Sequence, residues 1–147
     1  MLKFFSLPAV LAAISGAAMA VQGTLNSQLT QKTSLLSSTL IVHIIGSLIA
    51  LLAVLAWKVP MFGHKWLQIP WYLYLGGALS VGIVALVAIT ISRIGVCNAT
   101  TAIILGQVGL AVIIDHFGLF GVQRISWNPW QLLGLALFIG GAKLLFK

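Results

Sequence analysis

The chain has 147 residues, of which 61% are hydrophobic and 6% are charged, and its formal net charge is +7. A water-soluble domain carries about 25% charged residues, so the composition predicts an integral membrane protein, with residues 1–147 forming one domain. The cations are scattered at the ends of hydrophobic stretches, and no run of them suits a nucleic acid, so no nucleic-acid partner is expected. The single cysteine, Cys97, excludes an intrachain disulfide and argues against a cysteine-ligated metal site.

Five hydrophobic spans follow one another along the chain, each of about the 20 residues needed to cross the hydrocarbon core. The predicted spans are residues 4–29, 35–57, 71–92, 96–119 and 130–146. Spans of this length must be helical, because every backbone polar group has to be paired within the segment. The predicted fold class is therefore an all-α integral membrane bundle of five transmembrane helices.

The first span has a second interpretation. Lys3, the apolar stretch after it and Ala18–Ala20 resemble a signal peptide, and cleavage would leave four spans. We favour a permanent span because the apolar stretch continues to Leu25. Gln22 and Asn26 also follow in helical register.

A ridge of small residues lies along the first span. Such a ridge lets helix backbones approach closely, although glycine and alanine serve general packing in any membrane bundle. Its members are Ala13, Gly16, Ala17 and Ala20.

Polar side chains inside the spans are energetically costly, because no water is present there to hydrogen-bond them, so each one calls for a structural or functional explanation. Gln22 and Asn26 are spaced i,i+4 on one helix face, and Gln107 lies near the middle of the fourth span. These amides either form hydrogen bonds between neighbouring helices, each worth about 0.6 kcal/mol, or line a substrate cavity. His43, about nine residues into the second span, is either a hydrogen-bonded packing residue or a group that carries a proton or contacts substrate. The candidate cavity residues are Gln22, Asn26, His43 and Gln107.

Asp115 is the only acidic residue and lies near the end of the fourth span. We expect it to pair with a cation at the membrane interface. Arg124 and Lys58 lie on its side in the same chain, whereas Arg93 could reach it only from an antiparallel partner. We favour the intrachain pair, because no dimer geometry need be assumed. No carboxylate lies near the middle of a span, so the sequence does not describe an exporter that exchanges cations at a central glutamate.

Lysine and arginine are divided evenly between the two sides of the membrane. The side that holds the N-terminus carries Lys3, Lys58, Lys65 and Arg124, and the other carries Lys32, Arg93, Lys143 and Lys147. Orientation normally follows an excess of these residues on the cytoplasmic side, so equal numbers on the two sides predict that the chain inserts in both orientations. A chain with an odd number of spans can then form an antiparallel homodimer, a 5+5 equivalent of the inverted repeats within transporters. All five tryptophans lie on the N-terminal side, and antiparallel pairing would give both interfaces the same belt.

Two stretches carry a family resemblance: Gly16 to Leu29, GAAMAVQGTLNSQL, and Gly106 to Gly118, GQVGLAVIIDHFG. Together with the five spans they resemble the YdcZ-like family of small inner-membrane exporters, in the drug/metabolite transporter superfamily. The resemblance implies a multi-pass protein of the bacterial inner membrane. It also implies that the chain corresponds to one half of the ten-span members, which have two inverted five-span halves. By position it carries over Gln22, Asn26, Gln107, Asp115, His116 and Gly118.

The sequence therefore favours a secondary carrier that exports a small polar or amphipathic metabolite by alternating access in an antiparallel dimer. A passive dual-topology channel for ions or solutes and a non-transporting subunit of a heterodimer remain alternatives. The expected partners are a second copy or an oppositely oriented paralogue, membrane lipid and a small-molecule substrate. No enzyme activity, metal or cofactor is predicted, because no nucleophile–base–acid set, metal-ligand cluster or phosphate loop is present.

Overall fold

The computed structural model describes residues 6–60, 66 and 68–146, and the regular structure in these residues is helical. The all-α prediction is therefore confirmed for them. The five α-helices are α1 (Leu7–Lys32), α2 (Leu35–Ala56), α3 (Leu75–Ile94), α4 (Val96–Phe117) and α5 (Pro129–Leu145). Four of them are long and apolar enough to cross a membrane, with α3 extended by the 3-10 turn Trp71–Tyr74 that precedes it. The fifth, α5, is a shorter apolar helix of 17 residues, at the lower limit of spanning length.

The helix ends lie within a few residues of the predicted span ends. The main difference is at α1, which continues to Lys32 and leaves only Thr33 and Ser34 as the link to α2. Ser34 then caps α2, since its hydroxyl oxygen accepts from the backbone N–H of Ser37 at 3.1 Å. Gly95 is the single residue between α3 and α4. Its φ of +80° is a conformation that glycine adopts without steric cost.

The start of α5 is fixed by a reciprocal cap. The backbone N–H of Trp130 donates to Asn128 Oδ1 at 3.0 Å, and the backbone N–H of Asn128 donates to Gln131 Oε1 at 3.1 Å. Pro129 occupies the first turn, where a missing N–H has no cost. Two otherwise unpaired backbone donors are thus satisfied before the helix becomes apolar.

The chain divides into two compact units, Met1–Arg93 and Ile94–Lys147. In the first unit α1 and α2 pack as a hairpin. Gly23 of α1 lies directly against α3, because a Cβ built there would be 2.9 Å from Val87 Cγ1 and from Ile91 Cδ1. The equivalent Cβ at Gly16, in the predicted small-residue ridge, has no neighbour within 4 Å. The close approach at Gly23 is therefore about two turns further along α1 than Gly16, and three residues beyond Ala20 at the end of the ridge.

In the second unit α4 packs against α5. One alanine on each of these helices is buried, Ala99 on α4 and Ala142 on α5. Small residues at such positions let two helix backbones come close without an amphipathic pattern in either sequence.

Candidate functional site

A polar face on α1 and α2 is the most unusual feature of the first unit. Asn26 and Ser27 of α1 and Ser38 and Thr39 of α2 are buried, although all four lie in otherwise apolar helices. The Ser38 hydroxyl donates to the backbone oxygen of Leu35 at 3.0 Å. The hydroxyl of Thr30 on α1 must therefore be the donor in its 2.6 Å hydrogen bond to Ser38 Oγ. This bond joins the two helices near their connecting turn.

Two oxygens on this face have no hydrogen-bond partner among the described residues. They are Ser27 Oγ and Thr39 Oγ1, both fully shielded from solvent. A buried polar group left without a partner costs about 1–3 kcal/mol, so polar atoms of this kind suit a site that a polar ligand or water enters. Neither residue was predicted from the sequence as part of a site. The available signal was the helical spacing of Gly23, Asn26, Ser27 and Thr30, which places them on one face.

His43 links α2 to α3 within the same unit. Its Nδ1 lies 2.8 Å from the backbone oxygen of Thr39, one turn earlier in α2. Its Nε2 lies 3.2 Å from Ser80 Oγ on α3. The Ser80 hydroxyl is also 2.7 Å from the backbone oxygen of Gly77. Both ring nitrogens of this intramembrane histidine are thus engaged, and one of them bridges two helices.

The predicted cavity residues have different environments. Asn26 is buried, with 8% of its surface exposed, and His43 is half-buried. Gln22 of α1 and Gln107 of α4 are exposed, and Gln107 belongs to the second unit. The structure therefore brings Asn26 and His43 into the packed part of the first unit. A role in substrate binding stays a prediction for all four residues.

In the second unit the stretch from Asp115 to Gly118 ends α4. Gly118 adopts the left-handed conformation, with φ +63° and ψ +37°, and its N–H bonds to the backbone oxygen of Ile114. The chain then folds back on the helix end. The N–H of Ile125 donates to the backbone oxygen of Asp115 at 2.8 Å, and Arg124 Nε donates to the backbone oxygen of His116 at 2.9 Å. These bonds satisfy backbone oxygens that the last turn of a helix leaves free.

Aromatic packing completes this cap of α4. The His116 ring lies against Trp127, with centroids 4.4 Å apart, and meets the edge of Phe117 at 4.9 Å. A side chain at position 118 would be crowded, because a Cβ there lies 3.2 Å from the backbone oxygen of Val122. The Asp-His-Phe-Gly sequence therefore has a local structural function, which its spacing alone did not reveal.

The predicted ion-pair residues are placed as follows. Asp115 is exposed at the end of α4, and Arg124 bonds to the main chain one residue away. Arg93 is exposed in the last turn of α3 and belongs to the first unit. The partner of the Asp115 carboxylate stays a prediction.

An open apolar groove of about 370 Å³ lies between α4 and α5 in the second unit. Gln131 is its one polar lining residue, and its side-chain oxygen is already used in the α5 cap. None of the predicted site residues lines this groove. The lining residues are Ile104, Val108, Val112, Gln131, Gly134, Leu135 and Phe138.

Metal binding has no candidate in the part of the chain that the structure describes. No group of three or more His, Cys, Asp or Glu side chains there is arranged to hold a metal ion. Cys97 is exposed near the start of α4.

The helices and their intramembrane polar groups define a multi-span helical membrane protein. A family model described as "Putative inner membrane exporter, YdcZ" matches residues 7–144, and the chain belongs to that family. The resemblance seen in the sequence is thereby confirmed. The family is one of inner-membrane exporters and not of enzymes, and with the apolar helices it indicates a multi-pass membrane transporter. No curated protein and no solved structure matches the chain.

Proposed function

We propose that this protein is a secondary carrier that exports a small polar or amphipathic metabolite by alternating access, and that it works as an antiparallel dimer. The proposal is carried by the predicted equal division of eight cations between the two sides of five predicted spans, in a chain that belongs to an exporter family. In an antiparallel pair, inward-open and outward-open states are equivalent by exchange of the two protomers. One short chain can then supply what larger transporters encode as two inverted halves.

The positions of the cations fit this arrangement. Lys32, Arg93 and Lys143 lie in the last turns of α1, α3 and α5, where a positive charge interacts favourably with the helix dipole. Lys58 follows α2, and Arg124 lies in the segment after α4. The described cations are therefore at or beyond helix ends, where they influence orientation. The remaining cations lie outside the described residues.

The polar face of the first unit supports a pathway for a polar solute. Asn26 is buried, as are the hydroxyl residues Ser27, Ser38 and Thr39. The hydroxyl oxygens of Ser27 and Thr39 have no partner among the described residues. An amide and several hydroxyls can both donate and accept, so they suit an uncharged or zwitterionic polar molecule. A cation would favour a carboxylate, and the only acidic side chain, Asp115, is at the end of α4.

The experiment is transport by the purified full-length protein in liposomes. A panel of small polar and amphipathic metabolites is first screened for thermal stabilisation, since ligands that bind only the folded state raise the melting temperature. Compounds that stabilise the protein are then tested for uptake. Saturable uptake stimulated by the same compound inside the liposomes supports a carrier. Unsaturated conductance would identify a channel, and activity that appears only with a paralogue would identify a heterodimer subunit.

The amides provide the matched test of the pathway. We expect Asn26→Ala to lower uptake at least tenfold at unchanged melting temperature, and Gln22→Ala and Gln107→Ala to lower it less. Gln28→Ala is the control, because Gln28 is an exposed amide on the opposite face of α1. Losses of uptake that follow the melting temperature in every variant would instead identify the amides as packing groups.

A further inference from the structure

The hydrogen bonds around His43 require more protons than a neutral imidazole supplies. The backbone oxygen of Thr39 can only accept, so Nδ1 must carry a proton to make the 2.8 Å bond. In a neutral ring Nε2 is then bare, and the 3.2 Å contact needs the Ser80 hydroxyl as donor. That hydroxyl has one proton, which its 2.7 Å contact with the backbone oxygen of Gly77 also needs.

All three bonds form together in one protonation state only, the imidazolium. Both ring nitrogens then donate, Nδ1 to Thr39 and Nε2 to Ser80, and the Ser80 hydroxyl is free to donate to Gly77. When the ring loses the Nε2 proton, the Ser80 hydroxyl must turn from Gly77 towards Nε2 or the bond between α2 and α3 is lost. Proton binding at Nε2 is thus coupled to the contact between two helices.

His43 is the one histidine on α1, α2 and α3. α1 carries Lys32 in its last turn, beyond the Thr30–Ser38 contact, and α3 carries Arg93 in its last turn. Arg93 is 13 residues after Ser80, about 20 Å along the helix axis. The 3-10 turn before α3 adds Tyr72 and Tyr74. No acidic side chain belongs to α1, α2 or α3, so no carboxylate there fixes the charge of the ring.

We infer that His43 is the proton-binding site of this transporter, with Ser80 as the residue that positions its ring, and that proton entry drives export. The inference rests on the proposed function. His43 is the ninth residue of α2, about 12 Å from the helix start, so a proton bound there has entered the membrane. Binding of the proton adds one hydrogen to Nε2 and returns the Ser80 hydroxyl to Gly77. Release reverses both changes.

The direct test observes the imidazole itself and needs no transported substrate. The full-length protein is labelled with [¹⁵N]histidine in lipid nanodiscs, and His43 is distinguished from His64 and His116 by the His43→Gln variant. In spectra recorded between pH 5 and pH 9 we expect both ring nitrogens to carry protons in the charged ring and only Nδ1 to carry one in the neutral ring. A neutral ring protonated on Nε2, or a ring that does not titrate in this range, would overturn the inference.

Ser80 variants separate positioning from packing. Ser80→Ala removes the acceptor for Nε2–H. At the pH where the wild-type His43 ring is half protonated, the ratio of protonated to neutral ring in this variant should be about tenfold lower, as expected for loss of one hydrogen bond to a charged group. Ser80→Thr keeps the hydroxyl and should restore the ratio. An equal ratio in the wild-type and Ser80→Ala proteins would remove Ser80 from the site.

The coupling of proton entry to export is tested with the compound that shows the largest saturable uptake in liposomes. An inwardly directed proton gradient should accelerate efflux of this compound by the wild-type protein. His43→Gln should lose the response to the gradient, and the control Gln28→Ala, at an exposed amide outside the site, should keep it. Exchange by the wild-type protein without a response to the gradient would refute proton coupling but would leave the proposed carrier function standing. Absence of exchange would refute the proposed function, and the spectra would still decide whether His43 binds a proton.

Discussion

Gly23 is the position where the packing of the first unit can be tested most sharply. Gly23→Ala places a methyl group 2.9 Å from Val87 Cγ1 and Ile91 Cδ1, whereas carbon atoms in good contact are about 3.5–4.0 Å apart. The two helices or the two side chains must therefore move by about 0.6–1 Å. Ile91 can turn its terminal methyl away, but Val87 is branched at Cβ and has essentially one side-chain conformation in a helix. Overpacking of this kind costs about 1–3 kcal/mol.

The matched control is Gly16→Ala on the same helix, because a Cβ there meets nothing within 4 Å. Both substitutions gain the same helix propensity, about 0.8–1.0 kcal/mol, so the difference between them isolates the contact with α3. We expect Gly23→Ala to melt about 2–12 °C below Gly16→Ala in the same detergent, given about 2–4 °C per kcal/mol for a chain of this size. Equal melting temperatures would show that α1 and α3 do not pack at Gly23, and the reasoning would fail.

Two further substitutions address the end of α4. Gly118→Ala should destabilise the second unit by about 1–3 kcal/mol, because the position has φ +63° and a Cβ would crowd the next turn. Gly134→Ala, at an open position inside α5, should gain about 0.8–1.0 kcal/mol of helix propensity and melt above the wild type. Equal melting temperatures of Gly118→Ala and Gly134→Ala would contradict the proposed cap of α4. Asp115→Arg should impair transport, and combination with Arg124→Asp should restore it if the pair forms within one chain. Rescue by Arg93→Asp alone would instead identify an intersubunit pair, and full activity of Asp115→Asn would make the charge dispensable.

The helices were predictable because membrane spans have a strong compositional signal. Apolar runs of about 20 residues broken by short polar links gave both ends of α2 and α5, and the C-terminal end of α3, to within about two residues. The predicted start of the third span falls at the 3-10 turn Trp71–Tyr74, four residues before α3 begins. The end of α1 was placed too early, since Gln31 and Lys32 are polar and read as a link. A helix end in the interface can carry polar residues without breaking, and Ser34 provides the real boundary as the cap of α2.

The faces on which the helices pack were not predictable in the same way. Gly23 shares a face of α1 with Asn26, Ser27 and Thr30, but a polar face does not indicate which helix packs against it. Only the packed arrangement shows that Gly23 meets α3. The histidine was selected correctly as an unusual intramembrane group, but its partner could not be named. Ser80 is 37 residues away in sequence, and only the folded chain brings its hydroxyl to the His43 ring.

The location of the C-terminus tests the antiparallel dimer most directly. Fusions of a reporter active only in the cytoplasm and of one active only in the periplasm should both be active on the wild-type chain, because the cations give no preferred orientation. Two or three lysines added to one side should bias the chain to one orientation and lower transport. An oppositely biased copy should restore it. A wild-type C-terminus found on one side only, in cells without an oppositely oriented paralogue, would contradict the antiparallel dimer.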